Sequence, residues 1–151
     1  MEQELLMTVR KWIELTLRMS MANIFKFTRD KALSMQQLGA LIRIHKKGNC
    51  NVSLMSTNMG ISNAAASQLL DRMKQLELIE RNEDPNDRRI KNLTLTQKGI
   101  ELLHQSLHAS QKWIEDLVST LDNNEKKETI TVLKRLISHL NFNGDKLIID
   151  K

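Results

Sequence analysis

The sequence predicts a mainly α-helical protein that carries one small β-hairpin. Three observations support this class. The 151 residues include one proline and five glycines, so little in the sequence interrupts helices. Apolar side chains recur every three or four residues along most of the length, and one short region instead alternates with period two. The composition, 40% hydrophobic and 27% charged, is that of a globular protein.

In the first part of the chain, the sequence predicts two helices. Apolar residues at steps of three or four predict a helix over 3–29, and a second stripe predicts a helix over 35–47 that Gly48 ends. The stripe of the first helix consists of Leu5, Val9, Ile13, Leu17, Met21 and Ile24. A stripe of this length needs a partner surface.

In the middle of the chain, the sequence predicts a helix-turn-helix followed by a hairpin. A short helix over 53–59 ends at Gly60, and Ser62 caps a helix over 63–77. Strands are predicted over 78–83 and 90–95, and in the second of them Leu93 and Leu95 alternate with Asn92 and Thr94. Between the strands, Asp-Pro-Asn-Asp-Arg-Arg has the composition of a turn and ends in two arginines.

In the last part of the chain, the sequence predicts two more helices. Thr96 caps a helix over 97–120, and a break at residues 122–124 precedes a sixth helix that ends at Gly144. No apolar run approaches the roughly 18 residues of a membrane span. The N-terminal residues lack the pattern of a signal peptide, so we expect a cytoplasmic protein without a membrane partner.

The predicted helix-turn-helix is followed by a hairpin with a basic tip. This order of elements is the pattern of a winged helix-turn-helix, a fold that binds double-stranded DNA. The second helix of the motif is narrow enough for the major groove. Its predicted outward residues, with the cap, are Ser62, Asn63, Ala64, Ser67 and Gln68. Small residues allow close approach, and glutamine can pair with adenine through two hydrogen bonds. The net charge of +5 is too small to decide the partner.

Three segments resemble the MarR family of bacterial transcriptional regulators: SNAAASQLLDRM at 62–73, LIER at 78–81 and DPNDRR…LTLTQKG at 84–99. The resemblance is clearest over 35–120. It implies a homodimer that binds a pseudo-palindromic operator. It also implies a winged lobe over 35–119, a dimerisation region formed by 1–34 and 120–151, and the helix 97–120 shared between them.

The resemblance also implies roles for individual residues. Asp87 would orient Arg89 toward the minor groove, Arg88 would contact a phosphate, and Lys91 would complete the site on the wing. On the second helix of the motif, which the family uses as its recognition helix, Arg72 would reach a phosphate and Asp71 would steady the Arg72 side chain. Many members carry Thr-Val where this chain has Ala65-Ala66, and Arg where it has Gln68. Readout by this chain is therefore expected to depend more on Gln68 and on DNA shape.

Other readings stay open at this level. His104 and His108 have a spacing that could hold a metal, but no complete ligand set accompanies them, so we expect neither metal nor cofactor. Cys50 is expected to be an inert loop or core thiol rather than a redox switch. The chain contains no catalytic motif, so we expect no enzyme.

The effector and its binding site are less well defined by the sequence. The resemblance implies a repressor released by a small aromatic effector, and Trp12 and Trp113 could line its pocket or simply belong to the core. The sequence identifies no ligand residue and leaves open whether the protein represses or activates. The competing class is a winged-helix module that binds proteins and never meets DNA.

Overall fold

The computed structural model describes residues 1–47, 50–83 and 91–140. It contains six helices and one two-stranded antiparallel sheet within that part of the chain. The elements are α1 (Glu2–Asp30), α2 (Met35–Lys47), α3 (Val52–Met59), α4 (Asn63–Gln75), β1 (Ile79–Glu83), β2 (Lys91–Leu95), α5 (Gln97–Thr120) and α6 (Asn123–His139). The predicted class is confirmed, and the predicted element boundaries agree to within two residues except at the end of α6.

The chain divides into two compact units. One unit spans Ile24–Ala109 and contains the helix-turn-helix and the hairpin. The other unit consists of Met1–Asn23 and Ser110–Lys151. None of the described helices combines the length and apolar character of a membrane span.

The core of the unit Ile24–Ala109 lies where α2, α3, α4 and the hairpin meet. Its largest fully buried side chains are Leu41, Ile44, Met55, Leu70, Met73, Ile79, Leu93, Leu103 and Cys50. In β1 and β2, Ile79 pairs with Leu95 and Arg81 pairs with Leu93. The amide of Leu93 also donates to the carbonyl of Cys50 at 2.7 Å, so the chain between α2 and α3 adds a bridge to the second strand.

Within this unit, two helix ends are followed by residues other than glycine that adopt the left-handed conformation. Ala32, with φ of 51°, follows α1, and Glu77, with φ of 59°, follows α4. In each case the next amide reaches back five residues, from Leu33 to Thr28 and from Leu78 to Met73. This cap ends α4 at Gln75, two residues before the predicted boundary.

The start of α5 is bound to the segment that leaves α4. Thr96 Oγ1 donates to the carbonyl of Glu77 at 2.6 Å and accepts from the amide of Gly99 at 3.0 Å. The amide of Thr96 donates to the carbonyl of Leu78 at 3.1 Å. A Cβ on Gly99 would lie 2.1 Å from that same carbonyl oxygen. The predicted cap at Thr96 is therefore confirmed.

The final helix begins at a capping box and ends earlier than predicted. Asp122 accepts from the amides of Asn124 and Glu125, while the side chain of Glu125 accepts from the amide of Asp122. The predicted end at Gly144 is wrong, because α6 ends at His139 and Leu140 has extended backbone angles. Gly144 itself lies outside the described residues, as does Gly48, the predicted stop of α2.

Candidate nucleic-acid interface

The turn between α3 and α4 is held by backbone caps at both ends. Gly60 has φ of 63°, a conformation that favours glycine, and the amide of Ile61 donates to the carbonyl of Ser56 at 3.1 Å. Ser62 Oγ then accepts from the amide of Ala65 at 3.2 Å, which confirms Ser62 as the N-cap of α4. The caps fix where α4 begins relative to α3.

Asn63 connects the same two helices through its side chain. The hydroxyl of Ser56, a buried residue of α3, donates to Asn63 Oδ1 at 2.6 Å. The sequence predicts a DNA-facing role for Asn63. In the structure its carbonyl oxygen is engaged within the protein, so this residue also sets the position of α4 on α3.

Helix α4 has one buried face and one open face. Ala66, Leu70 and Met73 are buried in the core. The residues predicted to read DNA lie on the remaining surface: Ser62, Asn63, Ala64, Gln68 and Arg72 are exposed, and Ser67 is half-buried. The structure therefore brings these predicted residues together on one helix surface, with small side chains near the N-terminus and longer ones one turn later.

Gln68 and Arg72 border a groove of about 530 Å³ beside α4. The opposite wall comes from the turn after α1 and the first turn of α2, including Ser34, Gln36 and Gln37. Ser34 and Gln37 cap one another there, since the amide of Ser34 donates to Gln37 Oε1 at 2.7 Å and the amide of Gln37 donates to Ser34 Oγ at 3.1 Å. The long side chains of α4 thus face open space next to a fixed backbone turn.

Asp71 has a different partner from the one expected. Its Oδ1 accepts from Nη2 of Arg81, in β1, at 2.7 Å, so the expectation that Asp71 steadies Arg72 is wrong. Asp71 and Arg72 both border a groove beside α4 together with Gln68, so Asp71 lies on the same surface of the helix while its carboxylate binds Arg81. Sequence reasoning missed Arg81, although its spacing of two from the buried Ile79 places it on the strand face that points inward.

The hairpin is a regular ladder as far as the structure describes it. Glu83 pairs with Lys91, and Asn82 Nδ2 donates to Thr94 Oγ1 across the strands at 2.9 Å. The predicted wing residues Asp87, Arg88 and Arg89 lie outside the described residues. Lys91 begins β2, and its side chain also lies outside the described part.

The structure also describes the surroundings of the other candidate residues. His104 and His108 are exposed on α5, and the described residues contain no group of three or more His, Cys, Asp or Glu that could hold a metal ion. Cys50 is fully buried, as expected for a core thiol. Within the unit formed by the chain ends, Trp113 Nε1 donates to Ser20 Oγ at 2.9 Å, and Trp12 is half exposed.

Comparisons with known proteins identify the family. The family model described as MarR family matches residues 33–91, which contain the helix-turn-helix and the first strand of the hairpin. The transcriptional repressor MprA of Escherichia coli (strain K12) is 32% identical over 119 residues, covering 74% of this chain and 68% of that protein. The chain belongs to the MarR family. The HTH-type transcriptional regulator BilQ of Clostridioides difficile (strain CD3) is 33% identical over 106 residues, covering 70% and 66% of the two chains.

Solved structures support the MarR fold. The transcriptional regulator Tm0710 from Thermotoga maritima superposes with a TM-score of 0.78 at 23% identity, covering 87% of this chain and 93% of that one. The F27L mutant of MepR from S. aureus, solved bound to an oligodeoxyribonucleotide, gives a TM-score of 0.65 at 22% identity, covering 87% and 96%. This MarR-family chain is therefore a DNA-binding transcriptional regulator and not an enzyme.

Proposed function

We propose that the protein is a homodimeric repressor that binds a pseudo-palindromic operator and is released by a small-molecule effector. The observation that carries the DNA part of this proposal is the open face of α4 with its capped N-terminus. The name of the Escherichia coli relative, a transcriptional repressor, supports the sign of regulation. The site of action is the chromosome, so the proposed location is the cytoplasm.

On α4 we assign base contacts to the middle of the helix and phosphate contacts to its ends. Gln68 is exposed and long enough to pair with adenine in the major groove, while Ala64 and Ser67 allow the backbone to approach. Ser62 lies at the N-terminus, where backbone amides favour an anion. We assign Arg72, one turn after Gln68, to a phosphate on the flank of the groove.

On the wing we assign Arg89 to the minor groove, Asp87 to its orientation, and Arg88 and Lys91 to phosphates. The support is the match of Asp-Pro-Asn-Asp-Arg-Arg to the family pattern, together with the antiparallel pairing of β1 and β2 on either side of it. A narrow minor groove has a strongly negative potential, which attracts an inserted guanidinium.

The unit formed by the chain ends supports the dimer. None of its described residues is buried, although α1, α5 and α6 contribute many large apolar side chains to it. The exposed ones include Leu5, Leu6, Leu17, Ile130, Val132, Leu136, Ile137 and Leu140. Soluble monomers rarely expose contiguous apolar surface on this scale. The occupant we propose is a second copy of the same unit, because a two-fold axis would bury the same apolar stripes on both chains.

Release by an effector follows from linkage between two conformations. Two α4 helices can enter successive major grooves only when they lie about 34–36 Å apart. An effector that binds more tightly to a conformation with another spacing lowers operator affinity by its differential binding. We propose a small aromatic effector on the family resemblance and assign no residue to its site.

The test of DNA readout is Arg89→Ala, measured by fluorescence anisotropy on a duplex selected in vitro for tight binding. We expect at least about a tenfold loss of affinity and a salt dependence reduced by about one counterion. Lys127→Ala, in α6 of the unit formed by the chain ends, removes the same charge and should leave both quantities unchanged. A wild-type protein that binds no duplex with salt dependence would instead favour the protein-interaction module.

A further inference from the structure

The ion pair between Asp71 and Arg81 connects the two elements that read DNA. Arg81 Nη2 donates to Asp71 Oδ1 at 2.7 Å. The side chain of Arg81 is only 24% exposed, and its Nε is buried without a hydrogen-bond partner among the described residues. A guanidinium this far removed from water depends on its carboxylate for charge compensation.

The position of the pair matters for the angle between helix and wing. Asp71 lies one turn after Ser67 and three residues after Gln68, on the helix proposed to read bases. Arg81 is the central residue of β1, opposite Leu93 in the ladder. The hydrogen bond therefore joins the middle of the strand that enters the wing directly to the recognition helix, across a sequence separation of 10.

We propose that Asp71 and Arg81 are positioning residues for DNA readout: the pair fixes the angle of the wing relative to α4 so that both elements engage one operator together. Neither side chain needs to touch DNA for this role. The proposal rests on the DNA interface proposed above.

Removing the charge of Asp71 tests the proposal, because the two possible roles of the carboxylate predict opposite changes in operator affinity. Asp71 is exposed on a helix that faces phosphates, so its carboxylate repels DNA. If that were its whole effect, removing the charge would strengthen binding. If the pair positions the wing, removing the charge weakens the bond to Arg81 and lowers operator affinity in spite of the reduced repulsion.

The experiment compares Asp71→Asn, Arg81→Gln and the double variant with wild type. Affinity is measured for the operator duplex and for a scrambled duplex of the same length. We expect Asp71→Asn to lose about five- to tenfold in operator affinity, with scrambled-duplex affinity unchanged or slightly higher. The double variant should lose no more operator affinity than Arg81→Gln alone, because both changes break one bond.

Two controls separate positioning from general damage. Glu77→Gln breaks a more exposed ion pair of the same unit, with Lys98 at 3.4 Å, and should leave operator affinity unchanged. Arg81→Lys keeps a cation that can reach the carboxylate and should recover part of the loss. Circular dichroism melting identifies any variant whose loss of binding is a loss of fold.

Several outcomes would overturn the proposal. Tighter binding of Asp71→Asn to both duplexes would show that the carboxylate acts only by repulsion. Equal losses on both duplexes, in proportion to the unfolded fraction, would show a purely structural pair. Failure of the wild-type protein to bind any duplex would instead reject the DNA interface itself, which the Arg89→Ala experiment detects independently.

Discussion

Two residues at the start of α5, Thr96 and Gly99, hold the end of the hairpin against the chain that leaves α4. The Leu-Thr-x-x-Gly motif is visible in the sequence, but its physical reason appears only in the structure. Thr96 uses its amide and its hydroxyl to bind the carbonyls of Leu78 and Glu77. Gly99 makes room for the carbonyl of Leu78, where no side chain fits.

Replacing Gly99 with alanine should therefore destabilise the protein strongly. The added Cβ would lie 2.1 Å from a backbone oxygen, so α5 or the start of β1 must shift. We expect a loss of roughly 3 kcal/mol in the free energy of unfolding, measured by urea denaturation. Gly39→Ala is the matched control, because its Cβ would meet only the end of the Arg43 side chain, at 3.0 Å, within a helix. That variant should be neutral or slightly more stable. Equal losses in both variants would contradict this account.

The elements were largely predictable because the helices carry apolar stripes and the second strand alternates. The residues at which helices end were harder to predict from the sequence. Gly60 was identified as a stop because glycine favours the left-handed conformation, whereas Ala32 and Glu77 adopt it without any sign in their residue type. Their conformation depends on tertiary packing around Leu33 and Leu78, which local sequence does not encode. The extended backbone of Leu140, which ends α6 before Gly144, likewise has no sign in its residue type.

At the scale of the helix-turn-helix, the prediction concerns Gly60. A Cβ there meets nothing within 4 Å, so the only cost of alanine is the backbone strain of φ at 63°. We expect Gly60→Ala to lose about 1 kcal/mol of stability, well below the loss at Gly99, in thermal unfolding followed by circular dichroism. Gly60→Asn should lose less, because asparagine tolerates the left-handed region better than alanine. A loss at Gly60 as large as that at Gly99 would argue against strain as the cause.

Over the whole molecule, the sequence predicts a winged lobe over 35–119 and a partner surface for the apolar stripes of the chain ends, and both stay predictions. It did not predict the Asp71–Arg81 pair, because a contact between a helix and a strand depends on how the two elements pack. Asn63 was assigned to DNA on its helical position alone, since nothing in the sequence reveals that Ser56 lies 2.6 Å away.

The dimer is tested at this scale with Ile137→Glu. Ile137 is 64% exposed in the single chain, so a charge there should cost the monomer little. In the proposed dimer the same charge would be buried on both copies, and we expect the dimer dissociation constant to rise about 100-fold or more. Size-exclusion chromatography with light scattering measures the mass. Ser138→Glu, the neighbouring exposed residue on the polar side of α6, should leave the mass of two chains unchanged. A wild-type protein that elutes as one chain at high concentration would reject the dimer.

The bridge between Cys50 and Leu93 has a consequence for aggregation. A two-stranded hairpin normally presents two free edges, each a template for pairing with another molecule. At Leu93, however, β2 faces β1 on one side and the chain before α3 on the other, since the Leu93 amide is bound to the Cys50 carbonyl. Near its base, therefore, the strand offers this amide to no foreign strand. The bridge thereby shortens the edge of β2 that is open to pairing with another molecule.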